Sequence, residues 1–351
     1  MGHSAKKGTI KHRAYARVGL LGNPSDAYFG KTLSFGLANY WAEVTLSPSS
    51  SLIIEPHPVH DPHCFDSLQN LVKRLDDEGY YGGVRLLLAT CKKFYQYCLS
   101  HNISLHSDNF SLSYDTNIPR QAGLSGSSAI VCAALSCMLE FYNVGNMVKI
   151  QERPSLILSA EEDIGILAGL QDRVVQVYGG LVYMDFNKQI MESLGHGQYI
   201  PMDTSLLPDL YVMHTPNPSD SGKVHSTVRK RWLNGDAFIR LCMDEVAQLA
   251  LEGRTALQNG DYQELARLMN MNFDLRRKMF GDEVLGTINI KMIEVARSVG
   301  AACKFTGSGG AVVAFCPDGP TQVEKLEEVC KAAGITIQQA IVAPAFVEPI
   351  T

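Results

Sequence analysis

The sequence predicts an α+β protein of two domains, on three observations. Its 351 residues exceed the size at which one hydrophobic core usually stops growing. A polar stretch bracketed by Pro201 and Pro208 interrupts the apolar segments, and Leu210–His214 restarts them as a strand, which sets domains over 1–205 and 206–351. The second half then reads strand, three helices, strand, helix, strand, an order suited to helices covering an antiparallel sheet.

Taken in order, the chain begins as sheet. Ala14–Leu21 and Trp41–Leu46 have strand composition, and Gly22-Asn23-Pro24-Ser25-Asp26 between them is loop chemistry. Val84–Leu99 carries apolar residues at helical spacing after a Gly-Gly break. Phe110–Tyr114 alternates as a strand and runs into a loop over 115–126, after which Ser127–Phe141 is small and apolar enough for a deeply buried helix. A helix near 155–168, a helical turn through 170–178 and a strand at Leu181–Phe186 complete the first half. Beyond the boundary, helices are expected over about 222–253, 260–279 and 287–299, then a strand Lys304–Phe315, a helix 321–333 and a strand Thr336–Val342.

Composition narrows the function classes. With 46% hydrophobic and 19% charged residues the chain can bury a large apolar surface. A net charge of -5 gives no electrostatic reason to expect nucleic acid as a partner. Nine cysteines, an odd number without a C-x-x-C pair and mostly in apolar segments, read as reduced core thiols of a cytoplasmic protein. The polar, basic start from Met1 to Arg13 and the absence of a long uninterrupted apolar run predict neither secretion nor membrane insertion. No obligate protein partner is indicated.

Three segments carry chemistry. The loop Pro119-Arg120-Gln121-Ala122-Gly123-Leu124-Ser125-Gly126-Ser127-Ser128-Ala129 opens onto the apolar helix. Glycines there let backbone approach phosphate oxygens, and the N–H groups and dipole of a helix start favour anions. Taken alone, a tight turn with a serine N-cap would read the same way. Next, Glu161-Glu162-Asp163 and Asp172 place acidic groups on either side of Gly165 and Gly169. Phosphoryl transfer from a magnesium nucleotide needs one carboxylate on the cation and another near the acceptor hydroxyl, roles that Glu161 and Asp172 can divide. An acidic helix end is the plainer reading of Glu162 and Asp163. The third segment, Phe305-Thr306-Gly307-Ser308-Gly309-Gly310-Ala311, is a glycine-rich turn that on its own could simply relieve a tight connection.

In this order the segments resemble the GHMP kinase superfamily of galactokinase, homoserine kinase, mevalonate kinase and phosphomevalonate kinase, whose motifs run roughly A-x-x-R-V-N-L-I-G-E-H-x-D, P-x-x-x-G-L-x-S-S-A and K-x-T-G-x-G-x-G. Here they stand as Ala14 to Asp26, the 119–129 loop, and Lys304 to Gly310. The resemblance implies a ribosomal protein S5 domain 2-like N-terminal domain, a ferredoxin-like C-terminal domain, and an ATP-dependent kinase using Mg2+. It further implies that Gly123, Leu124, Ser125, Gly126, Ser127, Ser128 and Ala129 hold the ATP phosphates and that Ser128 and Glu161 hold magnesium. Asp172 would take or polarise the acceptor proton, oriented by Arg17. Asp26, Asn23, Gly307, Ser308 and Gly309 would face the substrate. The loop has one residue more than the family spacing, which leaves Ser127 as an alternative metal ligand, and the Glu161-to-Asp172 spacing is one shorter than in galactokinase, which leaves Glu162 as another.

Where galactokinases carry Glu-His, this chain has Asn23-Pro24, which removes a negative charge and suits an anionic sugar. The strings Leu20 to Asp26, Tyr80 to Arg85, Asn217 to His225 and Asn272 to Arg277 resemble the glucuronokinase branch of plants. That implies phosphorylation of the anomeric hydroxyl of D-glucuronic acid to glucuronate 1-phosphate. Another sugar 1-kinase, of galacturonate or galactose type, and a catalytically silent sugar sensor of the same fold are the alternatives. Lys31, Arg173, Lys223 and Arg276 are candidate partners for the uronate carboxylate. His57, His60 and His63 are spaced three apart, but two prolines exclude the helix that would gather them, so they read as an exposed loop.

Overall fold

The computed structural model describes residues 8–78, 82–215 and 225–349. They form two compact units: one takes in the described residues of Met1–Ala14, Trp41–Asn117 and Ser127–Ala168, the other those of Tyr15–Tyr40, Ile118–Gly126 and Gly169–Thr351. Two long strands, β1 (Ile10–Leu21) and β2 (Lys31–Ser49), contribute residues to both. Both run beyond the spans predicted for them: residues 10–13 of β1 continue the alternation, whereas residues 32–37 of β2 are buried without a break and show no period of two.

In the first unit, residues 42–49 of β2 pair antiparallel with β4 (Asn109–Thr116), and the short β3 (Ile53–Ile54) pairs parallel to β4. Phe110, Leu112 and Tyr114 of β4 are buried while the residues between them are not, the period of two that the sequence displays. Helix α1 (Leu68–Glu78) precedes α2 (Gly83–Ser100), which packs on α4 (Arg153–Asp163). The apolar α3 (Gly126–Phe141) is buried round almost its whole circumference. Helix α4 ends earlier than predicted. Gly165 adopts φ +87, the Gly165 N–H donates to the Glu162 carbonyl and the Ile166 N–H to the Glu161 carbonyl, both at 3.0 Å, a Schellman stop one turn beyond Glu161.

The second unit begins its later chain with α5 (Gln171–Tyr178) and β5 (Leu181–Asp185), which pairs with residues 31–35 of β2 and with β6 (Gln198–Met202), beyond α6 (Lys188–Leu194). Pro201 therefore lies inside a strand rather than in the polar bridge expected for it; β6 is an edge strand, where a missing N–H is tolerated. A separate antiparallel sheet of order β10-β7-β9-β8 is built from β7 (Leu210–His214), β8 (Ala302–Phe305), β9 (Ala311–Phe315) and β10 (Thr336–Gln339). The predicted strand Lys304–Phe315 is thus a hairpin, with the glycine-rich segment forming its turn. The long helix expected from 222 is two, α7 (His225–Leu233) and α8 (Ala237–Asn259), because Asp236 caps α8 by accepting from the Ile239 N–H at 3.2 Å. Helices α9 (Tyr262–Phe280), α10 (Asp282–Leu285), α11 (Thr287–Ser298) and α12 (Pro320–Ala332) complete the layer. Asp261 caps α9 by accepting from Glu264 N–H, and α9 packs on β8 through Phe273 and Phe305, whose rings lie 5.3 Å apart. Seven of the nine cysteines are buried, as expected of core thiols, and Cys64 is exposed.

Candidate active site

Asp172 stands in the first turn of α5, within the second unit, with a carboxylate encircled by donors. Arg17, on β1, grips both oxygens as a fork, Nε to Oδ1 at 2.5 Å and Nη2 to Oδ2 at 3.0 Å. The Ser125 hydroxyl donates to Oδ2 at 2.5 Å, and the Arg173 guanidinium lies 3.5 Å from the same oxygen. Burial pushes the Asp172 carboxyl up, but the Arg17 and Arg173 charges and the hydrogen bonds from Arg17 and Ser125 outweigh it and hold the group below the ordinary carboxylate range. Its side chain retains 16% exposure, so this anion is fixed yet reachable.

The 119–129 loop reaches the same network. Gln121, Gly123 and Ser125 adopt φ of +57, +64 and +64, so left-handed residues stand at alternate positions, the conformation from which anion-binding nests of N–H groups are made. Three consecutive carbonyls of the loop are held by donors of the second unit. Arg17 Nη1 donates to Gly123 O at 2.7 Å, Arg17 N–H to Leu124 O at 3.4 Å and Gln176 Nε2 to Ser125 O at 3.0 Å. Gly123 is obligatory on space as well as on φ, since a Cβ there would lie 2.0 Å from the Gly309 carbonyl oxygen.

Asp26 follows the turn after β1 and is half-buried, with Oδ2 accepting from the Gln171 N–H at 3.2 Å. Burial, then the charge of Asp172, pushes its carboxyl up to about 6, against the pull of the Gln171 N–H, Arg173 and Arg17. Its seat depends on Gly169, where a Cβ would fall 1.8 Å from Oδ2.

Behind these groups lies a buried polar support. Lys304, fully buried on β8, donates from Nζ to Gly19 O at 2.6 Å, Asn23 Oδ1 at 2.5 Å and Phe305 O at 2.7 Å. All three acceptors are neutral, and burial, then the Arg276 and Arg17 charges, pushes the ammonium well down. Asn272 on α9 accepts from the Gly22 N–H and donates to Asn23 O, at 2.8 and 3.1 Å. Arg276 donates to Gly307 O at 2.8 Å and Ser308 O at 3.2 Å, with burial pushing it down to about 10.

In the first unit, Glu161 is fully buried at the end of α4 and accepts from the Ser127 hydroxyl at 2.7 Å. Ser128, the next residue of α3, is 1% exposed. A buried carboxylate with a serine hydroxyl beside it is hard oxygen chemistry of the kind a magnesium ion takes, so Glu161 and Ser127 fit that ion.

The predicted residues sort accordingly. Arg17, Gly123, Leu124, Ser125, Asp172, Gly307 and Gly309 share one network of the second unit, with Asp26 joined to it through Gln171. Asn23 is 2% exposed, and both polar atoms of its side chain face protein partners, Oδ1 toward Lys304 and Nδ2 toward Gly307 O at 3.5 Å. Ser127 and Glu161 are joined in the first unit. Among the basic candidates, Lys31 pairs with Asp185 at 3.6 Å, Arg173 faces Asp172, and Lys223 lies outside the described residues. His57 and His60 stack at 4.5 Å on the loop after β3, and among the described residues no cluster of three or more His, Cys, Asp or Glu side chains that could hold a metal occurs. Among the described residues no helix is long and apolar enough to cross a membrane. Lys304, Asn272 and Gln176 have structural roles that the motifs do not reveal. A lysine inside the wholly buried strand β8 was the available signal for the first.

Fold and site define a small-molecule kinase. A family model described as GHMP kinases N terminal domain matches residues 85–180, and one described as GHMP kinases C terminal matches 254–335. Glucuronokinase 1 of Arabidopsis thaliana is 64% identical over 335 residues, which cover 95% of this chain and 92% of that protein. The chain belongs to the GHMP kinase family and has its two-domain fold. The solved Lin0012 protein of Listeria innocua superposes with a TM-score of 0.76 at 14% identity, covering 96% of this chain and 98% of its own. Streptococcus pneumoniae phosphomevalonate kinase, in complex with phosphomevalonate and AMPPNP, does so with a TM-score of 0.70 at 13% identity, covering 94% and 99%. Both likenesses concern the fold.

Proposed function

We propose that this chain is a glucuronokinase, transferring the γ-phosphoryl group of ATP to the anomeric hydroxyl of D-glucuronic acid. The observation that carries the substrate is the 64% identity to a plant protein of that name, over nearly the full length of both. The site agrees in chemistry. Asp172, kept ionised by the Arg17 fork, takes the proton of the acceptor hydroxyl as that oxygen bonds to phosphorus and the bond from phosphorus to the ADP oxygen breaks, the ADP oxygen leaving with the electron pair. Asp26 accepts from a sugar hydroxyl, and Gly307, Ser308 and Gly309 line the acceptor with Asn23 behind them. The loop from Gly123 to Ala129 receives the phosphates on backbone N–H groups.

Glu161, with Ser128 or its neighbour Ser127, would hold magnesium, which when bound neutralises charge on the phosphate oxygens. The division of the chain at 205/206 belongs to the same reading, supported by family models that fall on either side of it. So does residence in the reducing cytoplasm, supported by the buried thiols. A panel of uronic and neutral sugars with magnesium-ATP, read by ADP release, tests the proposal. Glucuronate is expected to give the highest kcat/KM, whereas preference for galactose or galacturonate, or no turnover at all, contradicts it.

A further inference from the structure

Ser125 occupies an unusual position. It is a non-glycine residue in the left-handed region, at φ +64, where glycine would sit without steric cost. What serine supplies is a hydroxyl, and that hydroxyl donates to Asp172 Oδ2 at 2.5 Å. Its carbonyl is held from the same helix, by Gln176 Nε2 at 3.0 Å. Both anchors of Ser125 are therefore residues of α5, one turn apart, while the residue itself belongs to the phosphate-binding loop and immediately precedes α3. The Arg17 fork grips Asp172 from β1, and the same guanidinium donates to Gly123 O, two residues before Ser125.

We infer that Ser125 is a positioning residue that couples the phosphate-binding loop to Asp172, so that the carboxylate is aimed for catalysis only while the loop holds its left-handed conformation. This rests on the kinase reading with Asp172 as the catalytic carboxylate. Arg17 reaches both oxygens from one side; the Ser125 hydroxyl is the second donor to Oδ2, comes from a different element, and fixes the carboxylate against rotation within the fork. A serine at a φ that suits glycine is what such a role requires, because glycine would make the turn and leave Asp172 without that donor.

Ser125→Gly, Ser125→Ala and Asp172→Asn, alone and with Ser125→Gly combined with Asp172→Asn, test the inference on whichever sugar the unsubstituted protein phosphorylates. Both serine variants are expected to lose about tenfold or more in kcat, the worth of a hydrogen bond to a charged group, with KM for ATP changed less than about threefold. In the Asp172→Asn background the same Ser125→Gly change should cost almost nothing, since the partner charge is gone. Ser125→Gly relieves the backbone, so its urea midpoint should equal or exceed that of the parent; it carries the test if Ser125→Ala folds poorly. Unchanged kcat in Ser125→Gly while Asp172→Asn collapses overturns the inference. So does a rise in KM for ATP alone, or an equal loss in both backgrounds, either of which marks a loop-shaping role. Full turnover by Asp172→Asn instead removes the catalytic carboxylate itself, and the Ser125 role with it.

Discussion

Two carboxylates a short way apart in the second unit are tuned in opposite directions. Asp172 has more donors than a lone carboxylate needs and stays ionised, whereas Asp26 has one N–H and burial against it and is pushed up to about 6. Replacing Asp172 by Asn should cut kcat by about two orders of magnitude or more, since both charge and proton-accepting power go, and steady-state turnover checks it. For Asp26 the sign of the linkage is distinctive. The folded state holds a proton that the unfolded chain has released, so the contribution of Asp26 to stability is complete below its ordinary value of 3.8 and is lost as pH rises through about 6. Asn keeps the acceptor for the Gln171 N–H without the charge. Asp26→Asn should therefore raise the urea midpoint at about pH 7 and leave it nearly unchanged at about pH 4. A gain independent of pH would contradict the raised acid. None of this tuning is legible in sequence, because Asp26 and Asp172 are brought together only by the fold.

At the level of elements, position depends on where helices stop and where loops approach. Gly165 ends α4 one turn beyond the buried Glu161, and α5 begins with Gln171, whose N–H fixes Asp26. Gly169 is the close approach that lets it do so. Gly169→Ala should displace the Asp26 carboxylate rather than unfold the chain, raising KM for the sugar by about tenfold with little change in urea midpoint. A large loss of stability with KM intact would place the role of Gly169 elsewhere. The strands and helices themselves were largely readable, β4 from alternation, α2 and α3 from helical spacing and apolar content. Failures came where one signal masked another. Valine and alanine after Gly310 read as a continuation of the strand from Lys304, so the hairpin β8–β9 was missed, and helical spacing across Asn234-Gly235-Asp236 hid the cap that divides α7 from α8.

For the molecule as a whole, the motifs named two pairings that the structure joins, Arg17 with Asp172 and Ser127, the alternative metal ligand, with Glu161, whereas the approach of Gly123 to Gly309 was not legible in them. The supporting cations were not legible. Lys304 and Arg276 are buried against neutral acceptors, and an isolated basic residue in sequence looks the same whether it will be solvated or entombed. Substrate choice is a property at this scale, and phosphorus NMR on the products of glucuronate, magnesium and ATP tests it most directly. The proposal requires a new sugar phosphate resonance coupled to the anomeric proton, appearing in step with ADP. Phosphate on any other hydroxyl, or ATP left unconsumed with glucuronate while a neutral sugar is phosphorylated, would contradict it.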